Sequence, residues 1–585
     1  MSIIARMYGC GRHTGKLLIF AAIAIPAVIA LLFIYYNGIN AVSGDQWFVV
    51  PLFDKLYSGN LTAADLFAQH NEHRLLLLRL VSLTIGSITH YNTIAELYFS
   101  LFLICLQAIV LYMIFRLNPV LNRMSIAWFI PVTWLIFNLR QYDNLLLGFQ
   151  MQFFLVTLFL FLSIYFLQSC KGVNWRFAAA ILCSIAGTFS MANGLVIWPI
   201  GLLQLLLIYR SRPEIQKRQY LAMVFIWLAI SIAIYVLYFY DYHKPAYHPD
   251  LFYFIQHPIE SGTFLLALLG GFFSNDLYMA VGAGIGLVIL YIYAGASILY
   301  NSKKQADSAP FLALILFTIG SAIMLTAGRA GAGIEGALAR RYMTMTIVGV
   351  MGLYLALISL NLKFINPRSM IFRAIICVAV VAIFMIDKSL FTGVKTARIT
   401  VDVQKIPYYT STYMMQSDDI LAKAGAVPVA VRQGCEVLKK YKLNVYSRPF
   451  ISLIDLNISD NTTNCIIDSV NNWPVKDGEL YTISDPAKDK SIIITGWAVD
   501  QPENKAAGGV WIDIDGRLQQ PALYGIDRND VAVYHKNANY RFSGFYASID
   551  TSAIGPGRHV IAIDVVSNDK REFYRNVQLL DIEIK

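Results

Sequence analysis

Charge is what this sequence has least of. Only 14% of its 585 residues are Asp, Glu, Lys or Arg, against roughly a quarter in soluble domains, which excludes a wholly soluble chain. Cysteine is scarce too. Five of the seven lie in or beside apolar runs and none has metal-ligand spacing, which leaves no support for a cysteine zinc site. There is no P-loop, no G-x-S-x-G elbow and no dinucleotide fingerprint, so nothing points to ATP-driven transport or to those enzyme classes. Internal repeats and low-complexity segments are absent. The formal charge of +10 would suggest nucleic acid in a soluble chain, but here it reads as basic loops beside membrane spans, and no nucleic-acid partner is expected.

What the chain has instead is long apolar runs, near 17–36, 94–115, 124–139, 149–168, 175–190, 194–209, 219–240, 278–299, 309–327, 343–361 and 370–387. These predict about 11 transmembrane helices. The first is long enough to span and ends in no small-residue cleavage site, so it reads as a retained signal anchor. Residues 75–89 form a shorter run containing Arg79 and suit an interfacial helix. With the N-terminus inside, sixteen Lys and Arg fall in cytoplasmic connections, against eight in the opposite loops before the tail: Lys55, Arg74, Arg79, Arg140, Lys244, Arg329, Arg340 and Arg341. That bias predicts an inside N-terminus and an extracytoplasmic C-terminus. It also collects the unusual polar stretches on one face.

The organisation expected is therefore a membrane domain over 1–388, with its first outer loop at 37–93, then a mixed α/β region over 389–489. A β-sandwich over 490–585 follows from SIIITGWAVD, GGVWIDIDG, YRFSGFYASID and GRHVIAIDVVS, separated by turn residues. Cys435 and Cys465, the only pair in the tail, are a disulfide candidate.

Three polar constellations stand out. In SGDQWFVVPLFDKLYSGNLTAADLFAQHNEHRLLLLR, Thr62 and Asp65 have the spacing of a capping box, and Asp54 is a loop acid. Asp45 follows the first span beside Trp47, and Glu72 lies in HNEHR. Either carboxylate suits a general base for an acceptor hydroxyl, the alternative being simple pairing with Arg74 or Arg79. His70 and His73 have weak metal-pair spacing, and no metal or other cofactor is expected. Arg329, Arg340 and Arg341, in GRAGAGIEGALARRY, suit a lipid phosphate, with headgroup contact or pairing to Glu335 as the alternative. Arg140, Tyr142 and Asp143, with Gln150 and Gln152, make the third set, lining a cavity or bonding helix to helix. Asn193 reads as a turn residue. Asp513 and Asp515 read as surface residues on one strand face.

A many-spanned chain with a long acidic first outer loop, an interfacial helix after it and a soluble C-terminal domain resembles the GT-C glycosyltransferases. Asp45 in SGDQW matches the position of that superfamily's catalytic base. HNEHR, MANGLVIWP and the GR…ARRY loop resemble bacterial members that use polyprenyl-phosphate sugars, including glucosyltransferases that modify O-antigen. The segment GWAVD…IDG…YGIDRNDVA…GF is similar to β-domains appended to bacterial cell-surface glycosylation proteins. No acidic pair stands at the first-loop position. The resemblance implies a multi-pass inner-membrane enzyme that moves a sugar from a polyprenyl-phosphate donor to a glycan acceptor, itself lipid-linked, on the periplasmic face. Asp45 and Glu72 would be catalytic, and Arg329, Arg340 and Arg341 would hold the donor phosphate. Trp47, His73, Arg74, Arg140, Tyr142, Asp143 and Gln150 would contact substrate. A flippase or transporter of lipid-linked sugars and an O-antigen polymerase are the alternatives.

Overall fold

The computed structural model describes residues 2–211, 216–245, 249–250, 252–300, 305–360, 403–447, 452–476, 479–486 and 488–585, with side chains from Leu17 onward. The chain divides into two compact units. One comprises 1–39, 60–89 and 93–397, and the other 40–59, 90–92 and 398–585.

The first unit is helical. Among the described residues, eight helices are long and apolar enough to cross a membrane: 17–37, 93–117, 148–169, 192–210, 217–239, 277–300, 305–332 and 340–360. Several leave whole apolar faces outward, as with Phe225, Ile232 and Val236 on one helix and Met279, Ile289 and Ile292 on another. In water such faces would drive aggregation, and lipid covers them without cost. Two of the eleven expected spans differ, and one cannot be compared. The 124–139 run is a 3₁₀ turn and a seven-residue helix, Ile130–Ile136, because Pro131 and Asn138 punctuate it. The 175–190 run keeps only the 14-residue helix Trp175–Thr188. The 370–387 span lies outside the described residues, as does the start of the expected tail. Leu76–Thr89 is a short helix, as expected. Between 241 and 276 the described residues include a further helix, Pro258–Gly270, docked on Leu277–Tyr300. Gly270 and Gly284 permit that approach: a Cβ on Gly270 would lie 1.9 Å from the Ala280 carbonyl oxygen.

The second unit shows that residues 37–93, expected as the first outer loop, are not one piece. Residues 40–59 and 90–92 fold with the tail. Trp47 Nε1 donates to the Ala424 carbonyl at 3.2 Å, the Asn444 N–H donates to His90 O at 2.7 Å, and Asn444 Nδ2 donates to Asn40 Oδ1 at 2.9 Å. The partner is the amphipathic helix Pro428–Lys440, which buries Val431, Cys435 and Leu438. Strands beyond that helix form two sheets. In one, the order is 518–521, 509–514, 557–566, 572–584 and 457–458. In the other it is 523–526, 544–550, 491–500, 465–470 and 473–474. Alternating residues such as Ile492, Ile494, Ile512, Ala547, Ile561 and Ile563 interlock between them as one core. The sandwich is present but begins near 457, earlier than the expected boundary at 490, because strands from 457–483 enter both sheets.

Two tail expectations fail. Cys435 and Cys465 are both free, the first on the 428–440 helix and the second at a strand start, so no disulfide joins them. Asp513 is buried, accepting from the Gly516 N–H at 2.7 Å and from Gln519 Nε2 at 2.7 Å, while Asp515 sits in the turn with φ of 54° and bonds His559. The two acids brace a hairpin and do not share a face.

Candidate functional site

Hydrogen bonds gather the polar segments of the first unit at one end of its helices. Residues 69–74, 140–144, 192–193, 238–240, 271–275 and 329–342 are tied together there. Asn118 Nδ2 and Gln168 Nε2 tie the far end, donating to the carbonyls of Asp307 and Ala306.

The site's first piece is a β-hairpin, Gln69–His70 paired with His73–Arg74. Asn71 takes the left-handed conformation at φ 50°, which Asn tolerates better than most residues, and this sets Glu72 at the tip. Tip and helix end then meet: Arg329, in the last turn of Gln305–Arg329, places Nη2 2.7 Å from Glu72 Oε1. His73 Nε2 stands 3.6 Å from the same oxygen, and its Nδ1 accepts the Ala192 N–H at 3.3 Å. That acceptor role leaves the ring proton on Nε2, facing the carboxylate. Burial pushes the Glu72 carboxyl up, but His73 once protonated, then the charge and hydrogen bond of Arg329 and a backbone hydrogen bond, prevail and hold it at about 2.

The second piece joins the 140–144 segment to the start of the Met343–Leu360 helix. Asn144 Nδ2 donates to the Arg341 carbonyl at 2.8 Å and to Thr344 Oγ1 at 2.8 Å, and Thr344 Oγ1 donates to Gln141 Oε1 at 2.7 Å. These bonds fix the Arg341 carbonyl and the start of the helix that follows it. The Arg340 guanidinium lies 4.7 Å over the Tyr142 ring and donates to its hydroxyl. Arg341 is exposed, its guanidinium 5.2 Å over Tyr342. Asp143 is half-buried between the two arginines. Burial pushes its carboxyl above the usual range, and Arg340 and Arg341 reverse only part of that rise. Arg140 donates to Gly271 O at 2.7 Å and Asn275 Oδ1 at 2.8 Å. Five arginines, Arg74, Arg140, Arg329, Arg340 and Arg341, against three carboxylates, Glu72, Asp143 and Glu335, leave these segments positive, a suitable field for an oxyanion.

Several expected substrate residues prove structural. Arg74 is buried, donating to the carbonyls of Tyr238 (2.7 Å), Phe67 (3.1 Å) and Tyr240 and stacking on Phe67, so it clasps the backbone. Arg79 likewise donates to the Leu66 and Ala68 carbonyls. Tyr142 is buried under Arg340 and offers no face to a sugar. Glu72 pairs with Arg329, not with Arg74 or Arg79, and Glu335 is exposed. Held so low, Glu72 makes a poor general base and acts by fixing Arg329.

Gln150 is buried with its Oε1 lacking a hydrogen-bond partner among the described residues, as are Gln152 Oε1 and Asn193 Nδ2. No group of three metal-ligating side chains occurs among the described residues. Beside the hairpin lies a cavity of about 620 Å³ lined by Phe67, Gln69, Asn71, Arg74, Tyr240 and His243, among others.

In the second unit, Asp45 is half-buried on the 3₁₀ turn Gly44–Phe48. Trp47 beside it is buried against Gly434, where a Cβ would lie 2.6 Å from the ring, so its face is closed to ligands. Asp54 bonds Lys440 at 2.8 Å and Tyr441 at 2.9 Å. In the first unit, the Thr62–Asp65 capping box is formed.

Thr344 was not singled out by sequence, while Gln141 and Asn144 lie in the polar 140–144 stretch that was. The one signal for Thr344 is position, next to a segment already rich in arginine. No family model, curated protein or solved structure matches this chain.

Proposed function

We propose that this protein is a membrane glycosyltransferase of GT-C type that uses a polyprenyl-phosphate sugar. The observation that supports this reading most is the arginine-rich end of the apolar bundle, where exposed Arg341 and half-buried Arg340 flank Asp143. A lipid-linked phosphate enters such a site with its chain in the bilayer and its charge on the guanidiniums. In the transfer step the acceptor hydroxyl forms a bond to the sugar's anomeric carbon and gives its proton to a carboxylate. The bond from that carbon to the phosphate oxygen breaks, and the phosphate leaves with the electron pair, stabilised by Arg340 and Arg341. Asp45 is assigned as the proton acceptor because of its place just after the first helix. Glu72 and His73 position Arg329, and the cavity beside the hairpin accommodates part of the acceptor glycan.

In this reading the protein lies in a bacterial inner membrane with this end periplasmic. The test is incubation of membranes containing the protein with radiolabelled polyprenyl-phosphate sugar and a lipid-linked glycan. Label moving into glycan is expected, and its loss in Asp45→Asn at unchanged expression. Translocation of donor without transfer would replace this reading with a flippase, and full activity of Asp45→Asn would remove the base assignment.

A further inference from the structure

A second cavity, of about 630 Å³, lies wholly within the second unit. Tyr413 and Met415 form one wall, Lys439, Lys442 and Tyr446 another, and Trp511, Gln519 and Pro521 of a sandwich sheet the third. Its size is that of a small-ligand site. The aromatic walls are fixed from behind. Tyr446 donates its hydroxyl to the Thr410 carbonyl at 2.7 Å, Tyr413 bonds Glu436, and Trp511 packs with Val566 and Phe573. Tyr446, half-buried where the other two are buried, therefore offers its ring more than its hydroxyl, while Ser447 and Gln519, which already donate to the Asn444 carbonyl and to Asp513, add acceptor oxygens to the lining.

The lysines divide in a telling way. Lys440 is paired with Asp54. Lys439 and Lys442, exposed at the cavity, form no ion pair among the described residues. Lys442 also holds a left-handed backbone at φ 53°, a conformation costly for a residue with a Cβ, within a turn closed by the Leu443 N–H on the Leu438 carbonyl at 2.8 Å. A ring for the carbon face of a sugar, amide and hydroxyl oxygens, and two unpaired ammoniums make a consistent set.

We propose that this cavity binds an acidic saccharide unit, its ring against Tyr446 and its carboxylate or phosphate on Lys439 and Lys442. The proposal does not depend on the transfer reaction, since every residue in it belongs to the second unit and its test is binding.

The experiment uses the full chain in nanodiscs and calorimetric titration with three probes: a galacturonic acid trisaccharide, a neutral galactose trisaccharide and inorganic phosphate. The acidic trisaccharide should bind about fivefold or more tightly than the neutral one, and phosphate alone only weakly. Lys439→Gln/Lys442→Gln should remove that preference without moving the unfolding midpoint, because both side chains are exposed. Ser447→Trp, which fills the mouth, should abolish binding of both sugars. Equal affinity for charged and neutral sugars overturns the proposal. So does unchanged binding in both variants, which places the sugar elsewhere, or binding of octanoate with no binding of saccharide, which makes the cavity an aliphatic-anion site.

Discussion

A carboxylate at a hairpin tip, largely removed from water, needs a cation, and Glu72 has Arg329 at 2.7 Å. Its folded value of about 2 lies below the ordinary 4.5, so the pairing stabilises the fold fully above pH 4.5 and the contribution is lost as pH falls through 2. The shift corresponds to on the order of 3 kcal/mol. Arg329→Gln leaves the burial and removes one of the two cations that lower Glu72, His73 being the other, so Glu72 should titrate higher than in the wild type. Acid unfolding of that variant, followed by thermal midpoint against pH in detergent, should begin at clearly higher pH than in the wild type. An unchanged acid limb would show that the pair contributes nothing. Asp143 carries the opposite sign. Its carboxyl is raised, and when ionised it competes with a donor phosphate for Arg340 and Arg341. Donor affinity should therefore rise a few-fold as pH falls through the Asp143 titration. Asp143→Asn should bind tightly with no pH dependence, as read by titration of a soluble polyprenyl-phosphate analogue. Arg341→Glu should weaken that binding at every pH.

At the scale of elements, the docking of 44–57 on the 428–440 helix depends on absent side-chain atoms. A methyl on Gly434 would lie 2.6 Å from the Trp47 ring, and Gly425, at φ +81°, brings its backbone against Gly44. Gly434→Ala should destabilise the second unit by about 1–3 kcal/mol and speed proteolytic cleavage between 40 and 60. Within the sandwich, Ile494→Ala removes a fully buried side chain and should cost about 2–5 kcal/mol, measured by tail-specific unfolding. These elements also show what was legible beforehand. The capping box at Thr62, the short helix at 76–89 and the alternating strands after 490 could be read because each signal is local. The pairing of Trp47 with a helix nearly 400 residues later could not, since an aromatic after a first span reads equally as a membrane-belt residue. Glu72 and Arg329 were each visible, but their pairing across 257 residues is a tertiary fact. Cysteine spacing misled because two cysteines in a tail say nothing of distance.

For the whole molecule, the charge bias and the hydrogen-bonded ends of the helices make independent statements that one experiment can join. The basic residues Lys171 and Arg176 lie at the end tied by Asn118 and Gln168, with Arg176 donating to the Ser169 carbonyl at 2.9 Å. His243, with an 84% exposed side chain, lies at the other end, its N–H bonded to Gln69 Oε1 of the hairpin segment at 3.0 Å. The bias of Lys and Arg predicts a cytoplasmic location for the first end, because translocating clustered cations across the membrane is disfavoured. Single cysteines introduced as Lys171→Cys and His243→Cys, in a chain with its native cysteines replaced by serine, report each end with a membrane-impermeant maleimide. In intact spheroplasts His243→Cys should label and Lys171→Cys should not, with Lys171→Cys gaining label only on permeabilisation. The reverse pattern would put the arginine cluster on the cytoplasmic side. Transfer on the outer face would then be impossible, and the proposed reaction would have to draw on a cytoplasmic donor.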